Sequence, residues 1–310
     1  MNISINPSYF CNFRCDFCYL TPDQLGDQKK IDPKDLDKLL SQVVMHDKID
    51  HIDLYGGEIG ALKRSYYDEI LGIIRSHYSG NININTNFSK LDDRFLADNI
   101  TLSVSYDFAA REKSDLVYQN MLMSTKPIAL LILASPKVLK MDVDDMIKDL
   151  NIVRSITSVE IKPYSTNQAN AHDVTHKDFE DFVIKWLESD VEKKFEFINL
   201  FNIEDSYNKL YNAFSDDHVY ITPNGKFGVL EFDKNDNEYF LELPSYGSYQ
   251  QWAYQEKITL SDICNNCKYM GHCLTEHYRY VKDLDNSCNG YINLLEWYDA
   301  RMEDKTKVIS

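Results

Sequence analysis

Positive charge is scarce: 33 Lys and Arg stand against 49 Asp and Glu, a formal net charge of −16 over 310 residues. A phosphate backbone needs a basic face, and an anionic membrane attracts polybasic segments, so nucleic acid and membrane surfaces are excluded as expected partners. Long apolar runs are missing too. The longest, residues 128–134, falls far short of the ~20 residues that span a bilayer. Residues 1–6, MNISIN, carry neither the charged nor the apolar stretch of a secretory signal, and the expectation is a cytoplasmic protein. With 44% hydrophobic and 26% charged residues, the chain reads as folded and soluble, and it is long enough to bury a large core.

What is present is an odd number of cysteines. Seven thiols without an export signal read as metal ligands or free thiols rather than a disulfide framework. They fall into two groups separated by about 245 cysteine-free residues. Cys11, Cys15 and Cys18 form C-x3-C-x2-C, and Cys264, Cys267, Cys273 and Cys288 form C-x2-C-x5-C-x14-C.

Strand and helix signals alternate through the first half, favouring a parallel α/β architecture. Strands are expected at 2–6, 51–55, 81–87, 101–107, 127–134 and 157–164. Helical patterns lie near 33–47, 65–78, 91–98, 111–123 and 142–154, with Tyr67, Ile70, Leu71 and Ile74 making one apolar stripe. Most of the strands carry polar residues on one face: Asn81, Asn83, Asn85 and Asn87 alternate with Ile82, Ile84 and Thr86, and Thr101, Ser103, Ser105 and Asp107 alternate with Leu102, Val104 and Tyr106. Period-two alternation puts each set on one face, whereas a parallel sheet covered on both sides is apolar throughout; only 128–134 reads that way. A curved sheet with a polar lumen accounts for the pattern, and so does an antiparallel sheet with one solvated face. Beyond the sixth strand, helices are expected at 175–194, 204–214 and 291–304, with a hairpin turning at Pro223-Asn224-Gly225.

Three thiolates on a loop after the first strand can hold three irons of a cubane and leave the fourth open, the mark of a catalytic centre; three ligands of a zinc site fit the spacing as well. C-x3-C-x-aromatic-C, with Phe17 as the aromatic, resembles the signature of the radical SAM superfamily. In that family the open iron chelates S-adenosylmethionine (AdoMet), and one electron splits it into methionine and a 5′-deoxyadenosyl radical that abstracts hydrogen. Gly56-Gly57-Glu58 matches the family's GGE motif, with glycines for close backbone approach and Glu58 as an acceptor for the methionine ammonium. Ser105 and Asp107 resemble its Ser-x-Asp, the serine reaching the ribose, while Asn85 and Asn87 are neighbours of the methionine group. All lie at carboxyl ends of parallel strands, where such folds bind ligands. The resemblance implies a partial (β/α)6 barrel. Asp107 and Lys162 are expected either as substrate contacts or as a lumenal ion pair.

Four C-terminal thiolates close a zinc site or a cubane. After the barrel and the hairpin, they resemble a truncated SPASM (twitch-like) extension, whose complete form binds two auxiliary 4Fe-4S clusters. Leu230 stands where that pattern has a cysteine after Gly225, and His277 where it has another beyond Cys273; His277 reads as a surface or core histidine or as a vestigial ligand. The resemblance therefore implies one AdoMet-binding 4Fe-4S cluster and one auxiliary 4Fe-4S cluster held by Cys264, Cys267, Cys273 and Cys288. It divides the chain into a barrel at 1–200 and a small α+β cluster-binding domain at 201–310.

Enzymes resembling this architecture act on ribosomally made peptides or on small carbohydrates and aminocyclitols; peptide modification is the first choice. With the cluster motif beginning at residue 11, no leader-binding domain is expected before it, so a separate protein or the lumen itself presents the peptide. A low-potential donor such as flavodoxin or ferredoxin supplies the electron. If all seven cysteines ligate iron, none is left to quench a substrate radical, which favours oxidative cross-linking or dehydrogenation over epimerisation. The contrasting class is a non-catalytic zinc or iron–sulfur adaptor.

Overall fold

In the first half of the chain, short strands alternate with amphipathic helices whose ends are written into the sequence. Asp32 accepts the Lys34 N–H and Pro33 opens the helix, a cap that satisfies an otherwise orphaned donor. The computed structural model describes residues 1–164, 174–210, 218–230, 240–258, 262–273, 288 and 290–309. In chain order these form β1 (Asn2–Ile5), α1 (Pro22–Gly26), α2 (Pro33–Val44), β2 (His51–Leu54), α3 (Arg64–His77), β3 (Ile82–Thr86), β4 (Ile100–Ser105), α4 (Ser114–Met123), β5 (Ile128–Leu133), α5 (Val143–Ile152) and β6 (Ile156–Lys162). The rest comprises α6 (His176–Glu188), β7 (Glu196–Phe197), α7 (Ile198–Tyr207), β8 (His218–Ile221), β9 (Phe227–Leu230), β10 (Phe240–Leu243), α8 (Tyr246–Ile258), α9 (Asp262–Asn265) and α10 (Ile292–Ile309).

Among the described residues, ten strands make one sheet in the order β10-β9-β8-β1-β2-β3-β4-β5-β6-β7. Strands β1 to β7 run parallel to their neighbours, β8 adds to β1 in parallel, and β9 and β10 return antiparallel. The parallel α/β expectation holds. The antiparallel alternative is excluded for the first six strands. The apolar half of each alternation is buried: Ile52, Leu54, Ile82, Ile84, Leu102, Val104, Val159 and Ile161 are all at most 3% exposed. Residues Leu36, Leu40, Tyr67, Ile70 and Ile74 of α2 and α3 join them in the core.

The opposite face carries a polar network. Asn83 Nδ2 donates to Asp53 Oδ1 at 2.7 Å and to Asn85 Oδ1 and Ser103 Oγ at 3.1 Å. Ser4 Oγ meets His218 Nε2 at 2.8 Å, carrying the network onto β8.

Two expected helices differ. The pattern at 91–98 yields only a 3-10 turn over Asp93–Leu96, because the buried Arg94 is held by Asp92 and by the Leu62 and Gly60 carbonyls. The helix expected at 204–214 is α7, shifted forward to follow β7 directly. Asn199 anchors it there: its amide accepts the Ile161 N–H and donates to the Ile161 carbonyl, each at 2.8 Å. β10 and α8 were not expected; Tyr246 of α8 donates to Asp47 at 2.6 Å and Tyr249 to the His218 carbonyl at 2.8 Å. His277 lies outside the described residues. No helix among those described is long and apolar enough to cross a membrane.

The start of α10 is fastened to α6 by a buried carboxylate. Glu180 accepts the Asn293 N–H at 2.8 Å and the Leu294 N–H at 3.2 Å, and the Asn293 side-chain amide as well. A carboxylate at a helix N-terminus answers both the orphan donors and the helix dipole. Burial pushes its pKa up, against the opposing pull of these donors.

Candidate active site

At the carboxyl ends of β2 to β6 lies a cavity of about 340 Å³, in the size range of small-molecule sites. One wall is the cysteine loop, with Cys11, Cys15, Phe17 and Cys18. The facing wall carries Gly56 and Gly57 after β2, Asn85 and Asn87 at the end of β3, Ser105 and Asp107 at the end of β4, and Lys162 at the end of β6. A roomier depression of about 710 Å³, bordered by Asn151, Arg154 and Lys194, contains none of the sequence-derived site residues.

The cysteine loop is knitted by its own residues. Arg14 Nη1 donates to the Cys11 and Phe13 carbonyls at 2.6 and 2.7 Å, and the Cys11 N–H to the Leu25 carbonyl at 3.1 Å. Asn87 Nδ2 reaches Asn12 Oδ1 at 2.9 Å, tying the loop to the end of β3.

The glycines serve this loop. The Gly57 N–H donates to the Ser8 carbonyl and the Glu58 N–H to the Phe10 carbonyl, at 3.0 and 2.9 Å, so the β1–β2 pairing continues as far as the cysteines. A Cβ on Gly57 would sit 2.1 Å from the Phe10 carbonyl oxygen and 2.3 Å from that of Tyr9. Gly56 has φ +138°, and its Cβ would meet the Asn6 side chain at 2.1 Å. The close backbone approach expected at a ligand is made to the chain itself. Gly57→Ala is therefore expected to destabilise the fold by ~1–3 kcal/mol and to reduce metal loading at the N-terminal cysteines, read by thermal unfolding and metal content.

Glu58, expected as an acceptor for the methionine ammonium, has partners within the chain. It is 3% exposed and accepts from Thr86 Oγ1 at 2.6 Å and from the Asn87 and Gly60 N–H groups at 2.7 Å. Through these bonds it braces the ends of β2 and β3. Burial raises its pKa, and the three donors oppose the rise.

Asp107 and Lys162 each have a partner of their own. Lys162 Nζ pairs with Glu160 at 2.9 Å. Asp107, 1% exposed, accepts the Leu133 N–H at 2.6 Å on Oδ1, and Arg111 Nε and Nη2 at 2.9 and 2.6 Å on Oδ2. Arg111 lines the cavity and was missed, although an Asp–Arg pair four residues apart is a legible signal. Leu131 and Leu133 were missed as lining residues too. Their strand reads as one apolar run, but they are half-buried on the cavity side while Leu130 and Ile132 lie in the core.

None of the seven cysteines forms a disulfide. Their surroundings suit thiolate ligands, because N–H donors are aimed at sulfur. Cys11 Sγ accepts the Phe13 N–H at 3.4 Å, with Asn87 Nδ2 at 3.8 Å. Burial pushes the Cys18 thiol up to about 11, and Cys11, Cys15 and Cys18 line the same cavity. In the second group, too, N–H donors are aimed at sulfur. Cys267 Sγ accepts the Tyr269 N–H at 3.5 Å, Cys273 Sγ the Tyr291 N–H at 3.2 Å, and Cys288 Sγ the Gly290 N–H at 3.3 Å. Burial pushes Cys273 up to about 12, followed by the charges of Cys288, Cys267 and Cys264. Among the described residues, no group of three or more Cys, His, Asp or Glu side chains is placed to hold a metal ion.

This architecture is found in solved structures. The native protein anSMEcpe with bound AdoMet matches with a TM-score of 0.69 at 11% identity, covering 99% of this chain and 98% of that one. The chain has the fold of an AdoMet-binding protein. The same protein with AdoMet and the Cp18Cys peptide matches at a TM-score of 0.64 and 12% identity over the whole of both chains. Streptococcus suis SuiB bound to the precursor peptide SuiA matches at 0.60 and 16% identity, covering 94% of this chain and 74% of that one. At these identities the likeness is one of fold. No family model and no curated protein sequence matches the chain.

Proposed function

We propose that the chain is a radical SAM enzyme that modifies a ribosomally made peptide oxidatively. The observation that carries this reading is the convergence of Cys11, Cys15 and Cys18 on one wall of a cavity whose other walls are the strand ends matching the GGE and Ser-x-Asp motifs. In this reading a cluster held by Cys11, Cys15 and Cys18 would supply the electron for reductive cleavage of AdoMet and hydrogen abstraction from the substrate, and a cluster held by Cys264, Cys267, Cys273 and Cys288 would serve as acceptor for the electron that the oxidised substrate gives up with a proton.

The chain's own residues bind and orient. Cys11, Cys15 and Cys18 hold three irons, on a loop that Arg14, Asn87 and Gly57 keep in place. Ser105 offers its hydroxyl to the ribose, Asn85 and Asn87 border the methionine end, and Leu131 and Leu133 give an apolar wall against which adenine can pack. Lys162, paired with Glu160, brings charge to the cavity lining. The C-terminal part, 201–310, holds the auxiliary cluster through Cys264, Cys267, Cys273 and Cys288. A flavodoxin or ferredoxin delivers the electron. Peptide-bound neighbours of the same fold support a peptide substrate over a carbohydrate.

The test is anaerobic reconstitution followed by AdoMet and dithionite. About eight irons per chain, from two cubanes, together with 5′-deoxyadenosine are expected. Bound zinc and intact AdoMet would instead support a non-catalytic adaptor. In deuterated solvent the peptide product is expected to lose hydrogen and gain no deuterium; a D-residue carrying one deuterium overturns the oxidative assignment.

A further inference from the structure

Arg111 occupies a place that no motif assigned. Its guanidinium is buried, with 11% of the side chain exposed, and three contacts direct it. Nε and Nη2 grip Asp107 at 2.9 and 2.6 Å, Nη1 lies 4.0 Å from Cys15 Sγ, and the group stands 5.4 Å over the Phe17 ring. Asp107 cannot swing away, because its other oxygen accepts the Leu133 N–H at 2.6 Å. A fixed cation is thus held against one sulfur of the N-terminal triad by a carboxylate anchored to β5.

We infer that Arg111 is a positioning residue for the N-terminal iron–sulfur centre, raising its reduction potential through the charge held beside Cys15, and that Asp107 acts through Arg111. The inference rests on the reading that Cys11, Cys15 and Cys18 hold such a centre. Reduction adds one negative charge to a cluster, and hydrogen bonds to sulfur, net charge and solvent exposure set how readily it is added. A buried cation favours the reduced form, and the low local dielectric magnifies its effect. Charges of both signs lie near the triad: Glu58 acts on Cys11 and Glu112 on Cys15, while Arg14 donates to the Cys11 and Phe13 carbonyls. Arg111 is a cation set against a triad sulfur itself.

The experiment is a redox titration followed by electron paramagnetic resonance on the full, anaerobically reconstituted chain without AdoMet, with iron and thermal unfolding measured in parallel. In Arg111→Gln the ratio of reduced to oxidised N-terminal centre at fixed potential is expected to fall roughly tenfold, a shift of about 59 mV to more negative potential for a one-electron couple. Arg111→Lys retains most of the wild-type midpoint. Asp107→Asn removes the counter-charge and is expected to shift the midpoint the other way, an opposite sign that mere loosening of the loop would not produce. The C-terminal centre serves as internal control and stays fixed. An unchanged midpoint in an iron-replete Arg111→Gln chain overturns the inference, as does a shift of the same sign in Asp107→Asn. A wild-type chain that takes up no iron at the N-terminal cysteines overturns the underlying reading and the inference with it.

Discussion

Replacing Cys15 with serine is expected to abolish AdoMet cleavage while leaving the fold standing. The three N-terminal thiols sit on one loop, and the other four cysteines lie at position 264 and beyond. With one ligand lost, about four of eight irons should go, and 5′-deoxyadenosine should fall to background, a loss of many orders of magnitude in rate. The fold should survive because the loop is held by contacts independent of that sulfur: Arg14 on the Cys11 and Phe13 carbonyls, Asn87 on Asn12, and the Gly57 and Glu58 N–H groups on Ser8 and Phe10. Thermal unfolding of the metal-free forms of variant and wild type should therefore agree closely. The same prediction holds for Cys11→Ser and Cys18→Ser, but Cys11 is 8% exposed and its replacement should also loosen local packing. Wild-type levels of 5′-deoxyadenosine from the Cys15→Ser chain would place the AdoMet chemistry elsewhere.

The parts of the site legible in the sequence are those that repeat. Alternation along 81–87 and 101–107 revealed a polar face, and hydrogen bonds from Asn83 to Asp53, Asn85 and Ser103 now bear that out. Cysteine spacing likewise reads directly, because ligands on one loop must be close in sequence. What stayed hidden depends on the partners a side chain selects. The motif names Glu58 but does not show its chain donors, which the packing of Thr86, Asn87 and Gly60 brings to it. Leu131 and Leu133 were hidden for another reason: an apolar residue on a lumenal face looks the same as one in a covered sheet. β10 and α8 were illegible because they are set by tertiary partners, Leu230 of β9 for the first and Asp47 and the His218 carbonyl for the second.

The C-terminal cysteines give the second large effect. Cys273→Ala is expected to remove about four irons yet leave AdoMet cleavage intact, so that 5′-deoxyadenosine still forms while oxidised peptide does not. Among the four ligands Cys273 is the most deeply set, at 8% exposed, and it receives the Tyr291 N–H on the residue that leads into α10. A purely structural role for this centre predicts a different outcome: both activities should fall together as α10 loosens. Glu180 separates the two cases, since it fixes the start of α10 without contributing a thiolate. Glu180→Ala leaves buried Asn293 and Leu294 donors unsatisfied, at a cost of ~1–3 kcal/mol each at most, so it should lower stability while keeping the iron and the coupling of cleavage to product. If cleavage and product fall together in both Glu180→Ala and Cys273→Ala, the centre acts by holding α10 in place; if the cysteine variant alone loses product while keeping cleavage, the centre acts by taking an electron.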